Sequence, residues 1–168
     1  MAITKINADA MDLTDAYAFT GAVTGARLQP ALRLTQTVAQ TIATGTETVM
    51  DWNNTVLDTA SGFNATNNRW IPNVAGWYFV LMMASCHDVS NGTAQYPRIR
   101  KNGTSFAQTY QNNPVATGQT RMVAGIIDMN GSSDYIDGTI THSHGSNRNT
   151  WADAQLQNLS AFYLGNVS

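Results

Sequence analysis

Cysteine, glutamate and lysine are nearly absent from this 168-residue chain, which has one Cys, one Glu and two Lys. A single cysteine excludes an internal disulfide and any multi-cysteine zinc site within one chain. Cys86 sits just past an apolar run, so it reads as a buried, inert thiol. His87 beside it would point the other way in a strand, which argues against a Cys–His catalytic pair. Scarcity of Glu and Lys, both good helix formers, beside abundant Thr, Val, Tyr and Trp points to β structure. Charged residues make up 12% of the chain, about half the usual share. Either neighbours hide part of the surface, or Asn, Thr, Ser and Gln keep it soluble. The net charge of −2 offers no electrostatic case for nucleic acid. The only basic cluster, Arg98, Arg100 and Lys101, leads into Asn102-Gly103, a hairpin dipeptide, and reads as a solvated strand end. No secretion signal is expected: Lys5, Asp9, Asp12 and Asp15 interrupt the first 20 residues. No apolar run approaches the about 20 residues of a membrane-spanning helix.

The longest such run is Trp77-Tyr78-Phe79-Val80-Leu81-Met82-Met83-Ala84, launched from Ala75-Gly76. Its aromatic and β-branched opening favours a strand, with Tyr78, Val80, Met82 and Ala84 on one face and Trp77, Phe79, Leu81 and Met83 on the other. Both faces are apolar, so both need cover. Leaving Tyr78, Val80 and Met82 in water would forgo roughly 5 kcal/mol at about 1.5–3 kcal/mol per large side chain, comparable to the stability of a small domain. The segment ending at Leu164 is also apolar on both faces, with Leu159, Ala161 and Tyr163 opposite Phe162 and Leu164. These features predict an oligomer whose interface holds Tyr78, Val80, Met82, Leu159, Ala161 and Tyr163.

Turn signals recur at Gly45, Asn53-Asn54, Ser61-Gly62, Asn67-Asn68, Asn91-Gly92, Asn102-Gly103, Asn112-Asn113-Pro114, Asn130-Gly131 and Gly145-Ser146. They predict strands at 32–42, 46–52, 55–58, 69–71, 77–87, 95–101, 104–110, 119–129, 134–142 and 155–164, a sandwich or barrel. Residues 1–29 lack a sustained period of either kind and read as an arm that orders against another body; residues 30–168 form the head.

Several motifs, in order, resemble the C1q/TNF-like jelly roll: Thr48-Val49-Met50-Asp51-Trp52, Leu57-Asp58, Arg69-Trp70-Ile71-Pro72 and Gly76-Trp77-Tyr78-Phe79. Ile99-Arg100-Lys101-Asn102-Gly103 is similar to that family's central hairpin. Ser133-Asp134-Tyr135-Ile136 and Leu159-Ser160-Ala161-Phe162-Tyr163-Leu164 are similar to its last two strands. Ser133 and Ala161 stand where the family usually has Gly. The likeness spans roughly residues 32–165 and implies an all-β jelly-roll sandwich assembled as a homotrimer. The opening Lys5-Ile6-Asn7-Ala8-Asp9-Ala10-Met11-Asp12-Leu13-Thr14, with Tyr17-Ala18-Phe19-Thr20-Gly21, resembles the start of bacteriophage fibre and appendage proteins of marine and cyanobacterial phages. It implies a virion protein made in the bacterial host cytoplasm. Ile3, Ile6, Leu13, Tyr17 and Phe19 would attach the arm to other virion proteins of capsid or tail, and the head would serve as fibre or capsid decoration. A host receptor- or glycan-binding module and a capsid cement protein are the competing roles.

Chemical candidates are few. His142-Ser143-His144 would set two imidazoles on one side of a strand, as two ligands to one metal require; an exposed or hydrogen-bonded pair is the plainer expectation. Asp128, Asn130, Asp134 and Asp137 gather oxygens of the kind calcium takes, without EF-hand spacing. No nucleophile elbow, P-loop or zincin helix is present, so neither an enzyme nor a cofactor is expected. Trp52, Trp70 and Trp151 are candidate sugar-stacking rings, with a place in the core or an interface the plainer expectation for each. Trp151, with Arg148 nearby, has the best claim to exposure and receptor contact. Loops 88–95, 111–118 and 143–152 are candidates for the outward-facing end.

Overall fold

Alternation of side chains along extended segments, punctuated by Asn and Gly turns, yields fourteen strands in the computed structural model, which describes residues 29–89, 92–112 and 120–166. In chain order they are β1 Ala31–Thr35, β2 Thr41–Ile42, β3 Thr48–Val49, β4 Asn54–Asp58, β5 Phe63–Asn64, β6 Arg69–Trp70 and β7 Ala75–Ala84. There follow β8 Ala94–Lys101, β9 Thr104–Gln108, β10 Gln111–Asn112, β11 Arg121–Asn130, β12 Ile136–His142, β13 Arg148–Asn149 and β14 Asn158–Gly165. No helix forms among the described residues. One sheet has the order β11-β7-β14-β1-β4; the second runs β10-β8-β12-β6-β5, with β3 added on β12 and β9 on β8. A small β13-β2 pair closes one end. The arm residues Ile3, Ile6, Leu13, Tyr17 and Phe19 lie outside the described residues.

The Asn102-Gly103 turn joins β8 to β9 as its sequence predicts, with φ of 52° and 79°. Both central residues of this tight turn need the left-handed region, which matches the twist of the flanking strands. The expected strand over 32–42 breaks after Thr35. The Gln36 amide donates to the Asp51 carbonyl at 3.1 Å, and the Gln40 amide to the Val49 carbonyl at 2.8 Å. Side chains there replace the ladder.

The two sheets enclose Leu34, Trp52, Trp70, Tyr78, Met82, Ile99, Ile127 and Ile140. Trp70 and Tyr78 meet edge to face at 5.6 Å, and Tyr78 meets Tyr163 likewise at 5.3 Å. The face of β7 that carries Tyr78, Val80 and Met82 is therefore the sandwich interior of one chain. Tyr78, Val80, Met82, Leu159 and Ala161 are buried, and Tyr163 packs half-buried against them. This corrects the interface expected from the sequence, which gave this one of the two apolar faces of β7 to contact between copies. The Tyr78 hydroxyl instead donates to the Val74 carbonyl at 2.7 Å, a bond that lets a phenol lie inside. Trp52 and Trp70 are likewise core residues, not sugar-facing rings.

Gly76 opens β7 with φ of 154°. A Cβ there would stand 2.3 Å from the Tyr163 ring and 2.4 Å from the Gly165 carbonyl. Gly76→Ala should cost about 1–3 kcal/mol, the usual penalty for overpacking, read as a lower urea midpoint with unchanged slope.

Candidate functional site: an apolar sheet face

Every side chain that β7 turns inward leaves its neighbour turned outward. Trp77 is 41% exposed, and Phe79, Leu81 and Met83 are half-buried on the outer face of the five-stranded sheet. Register extends this face sideways. Ala31, Phe162, Phe79 and Ile126 form one row across β1, β14, β7 and β11; Arg33, Ser160, Leu81 and Ala124 form the next. Met122 stands opposite Met83. The Phe79 and Phe162 rings lie 5.3 Å apart. Met122 at 58%, Ile126 at 54%, Phe162 and Leu164 at 49% each are exposed in the single chain, on the same sheet as Trp77. Scattered apolar residues on a surface need no account, but a contiguous apolar sheet face marks a site of contact. Half-exposed side chains of this size would each return about 1 kcal/mol on being covered.

The opposite sheet differs in chemistry. Its outer face is polar and wired together by the lone glutamate. Glu47 accepts from Arg98 Nη1 at 3.1 Å, Arg100 Nη1 at 3.2 Å and Thr139 Oγ1 at 3.0 Å. Arg100 also grips Asp137 with Nε at 2.7 Å and Nη2 at 2.8 Å, a two-point geometry specific to guanidinium and carboxylate. The Asp137 hydrogen bond is the main reason the Arg100 guanidinium is held above its ordinary value. Lys101 bridges Asp134 and, on β11 of the five-stranded sheet, Asp128, at 3.1 Å each. The Asn102 amide, first, and then Lys101 and the Asn130 N–H hold the Asp134 carboxyl below its usual range. The basic cluster is thus ion-paired rather than merely solvated. The oxygens proposed for calcium are already engaged: Asp137 by Arg100, Asp128 and Asp134 by Lys101, and Asn130 Oδ1 by the N–H groups of Ser132, Ser133 and Asp134.

His142 and His144 do not form a ligand pair. β12 ends at His142, whose Nε2 donates to the Ile42 carbonyl at 3.0 Å while its Nδ1 accepts the His144 N–H at 3.3 Å. His144 has left the ladder. Its Nε2 lies 2.6 Å from Arg148 Nη2, and its Nδ1 lies 3.1 Å from the Ser146 hydroxyl. An arginine only donates, so Nε2 accepts and the ring is neutral. Among the described residues no group of three or more His, Cys, Asp and Glu is placed to hold a metal.

Burial, the Arg148 charge and then His142 hold the His144 pKa below its ordinary 6.5. The unfolded chain therefore takes up this proton first as pH falls. The stability carried by neutral His144 is full above about pH 6.5 and drains as pH drops toward the depressed folded value. Thermal midpoints should fall from pH 7 to pH 5, and His144→Gln should flatten that slope.

Arg148 is engaged by His144, and Trp151 is half-buried against the His87 ring at 5.1 Å, with its indole N–H turned inward. The pair does not form a stacking platform. Cys86 is buried, and burial pushes its thiol up to about 12, which suppresses the thiolate that reactivity needs. Sequence reasoning missed the buried glutamines. Gln157 Nε2 donates to the Ser85 carbonyl at 2.7 Å, and Gln95 Oε1 accepts the Cys86 N–H at 2.7 Å, taking over where β7 ends.

No protein-family model matches the sequence, and no curated protein matches it. Solved structures do resemble the fold. Eiger TNF from S. frugiperda shares 11% identity at a TM-score of 0.62, covering 83% of this chain and 95% of that one. The globular domain of zebrafish complement 1qA shares 13% at 0.61, covering 83% and 100%. Murine APRIL at pH 5.0 shares 17% at 0.62, covering 82% and 100%. The architecture is a C1q/TNF-like jelly roll.

Proposed function

We propose that this chain is the homotrimeric head of a bacteriophage fibre or decoration protein, a non-catalytic virion component. The observation that carries assembly is the apolar outer face of the five-stranded sheet, where Trp77, Met122, Ile126, Phe162 and Leu164 are exposed in the single chain. A second copy of the same chain is a natural cover, because the patch lies on a rigid sheet and needs no reordering before contact. The number three comes from the jelly-roll resemblance. The virion role is supported by the likeness of residues 5–21 to phage appendage openings, and the arm over about residues 1–29 would dock to capsid or tail proteins. Low charge fits a protein whose surface is partly shared with neighbours. Deleting residues 1–29 tests the role: the head should keep its mass in solution yet vanish from purified particles probed with antibody. Undiminished incorporation of the shortened chain would overturn attachment through the arm. Tight binding of the purified head to preformed shells, with thermal stabilisation of those shells, would shift the role to capsid cement.

A further inference from the structure

We propose that the outer face of the seven-stranded sheet, centred on Tyr96 and Tyr110, is a binding platform for an uncharged saccharide. It lies on the layer opposite the apolar face, so assembly through that face leaves it in solvent on every copy. Tyr110 is 58% exposed, and its ring lies 4.9 Å from that of Tyr96, tilted by 41°. The Tyr110 hydroxyl donates to Asn112 Oδ1 at 3.2 Å, which steadies the outer ring. Directly beside them, the Arg98 guanidinium carbon stands 5.6 Å from the Tyr96 centroid. Its Nε donates to Gln108 at 3.0 Å and its Nη1 to Thr141 at 3.0 Å and Glu47 at 3.1 Å.

A pyranose ring has an apolar C–H face and a rim of hydroxyls. The exposed Tyr110 ring, backed by Tyr96, matches the first, since Tyr offers large, rigid contact area with few torsions to freeze. The Tyr110 hydroxyl and the Arg98 guanidinium beside the pair meet the second, because neighbouring hydroxyls both donate and accept. These groups are already held in place, so binding orders little. Charge narrows the class. Arg98 and Arg100 are balanced by Glu47 and Asp137, leaving no net positive field for phosphate or an acidic polymer. A protein partner fits less well, since a standard interface needs an apolar centre within about 800 Å² per side, and this patch offers two hydroxylated rings. Several copies on one particle would multiply a weak single-site affinity against a repeating polymer.

This platform gives the proposed virion head a recognition role beyond attachment, and rests on assembly only for avidity. The full-length protein would be tested on an array of purified bacterial surface polysaccharides and neutral oligosaccharides, with the mass of each sample measured in parallel. Retention on neutral saccharides is expected to resist added salt. It should fall at least about tenfold in Tyr110→Ala, as loss of a stacking ring implies, and stay within a few-fold in Tyr110→Phe. Arg98→Lys should weaken it as well, because the fork is lost. No retention on any neutral saccharide would overturn the proposal. So would undiminished retention by folded Tyr110→Ala, binding confined to acidic polymers, or capture of protein alone. A single-copy mass with preserved binding to a neutral oligosaccharide would sink the assembly reading and leave the platform standing.

Discussion

Ile126→Asp and Phe162→Asp are expected to give folded protein at the mass of one copy. Both side chains are about half exposed in the single chain, at 54% and 49%. A carboxylate there costs the isolated fold little, and surface changes of this kind usually stay within about 0.5 kcal/mol. Within a covered face the same carboxylate would lose its water, at a cost of several kcal/mol per ion. Repeated at each contact of a symmetric assembly, that penalty moves the dissociation constant by several orders of magnitude. The paired control lies on the other face of β7, one residue along from Phe79, the register partner of both. Val80→Asp puts the charge inside the sandwich, where Val80 is 1% exposed, and should abolish folding altogether. Far-UV circular dichroism separates the two outcomes, and light scattering reports the mass. Unfolding in the first pair, or an unchanged mass, would show that the outer face is not an interface.

The second large effect is expected from Arg100→Met. Asp137 is 1% exposed at its side chain and held at two points by Arg100. Removing the guanidinium strands a buried carboxylate, and breaking a buried pair in this way costs about 3–5 kcal/mol. For a domain of this size that corresponds to a fall in Tm of roughly 10 °C. Glu47 would lose one of its two arginines as well, though it keeps Arg98 and Thr139. Converting the pair jointly, Arg100→Met with Asp137→Leu, should recover most of the loss, because no charge is then left without a partner. If the single substitution proves as stable as the parent, the bidentate pair has no structural weight.

Much of this fold is readable from residue order. Asn102-Gly103 marks its turn because few other dipeptides tolerate two left-handed residues, Asn130-Gly131 marks its own through a left-handed Gly131 and the Asn130 side-chain oxygen, and the long strands β7, β8, β11, β12 and β14 fall close to their predicted spans. The inward face of β7 was not readable. A period of two separates two faces but does not label them, and here both are apolar. Tyr78 and Trp77 could each have been the inward aromatic; the Val74 carbonyl, placed by the turn before the strand, decides for Tyr78. The histidine pair misled for a related reason. Spacing by two puts side chains together only while the strand continues, and β12 stops at His142. Gln95 and Gln157 carry no periodic signal, since their role depends on backbone groups distant in sequence. The aromatic pair on the opposite sheet was invisible too, because Tyr110 lies in a connection rather than a strand.

Native mass in solution tests the central claim most directly. Sedimentation or light scattering of the intact chain at micromolar concentration should give three times the 18.2 kDa chain mass, persisting in high salt because the contact is apolar. A folded species of 18.2 kDa, with Trp77, Ile126 and Phe162 open to solvent, would contradict it.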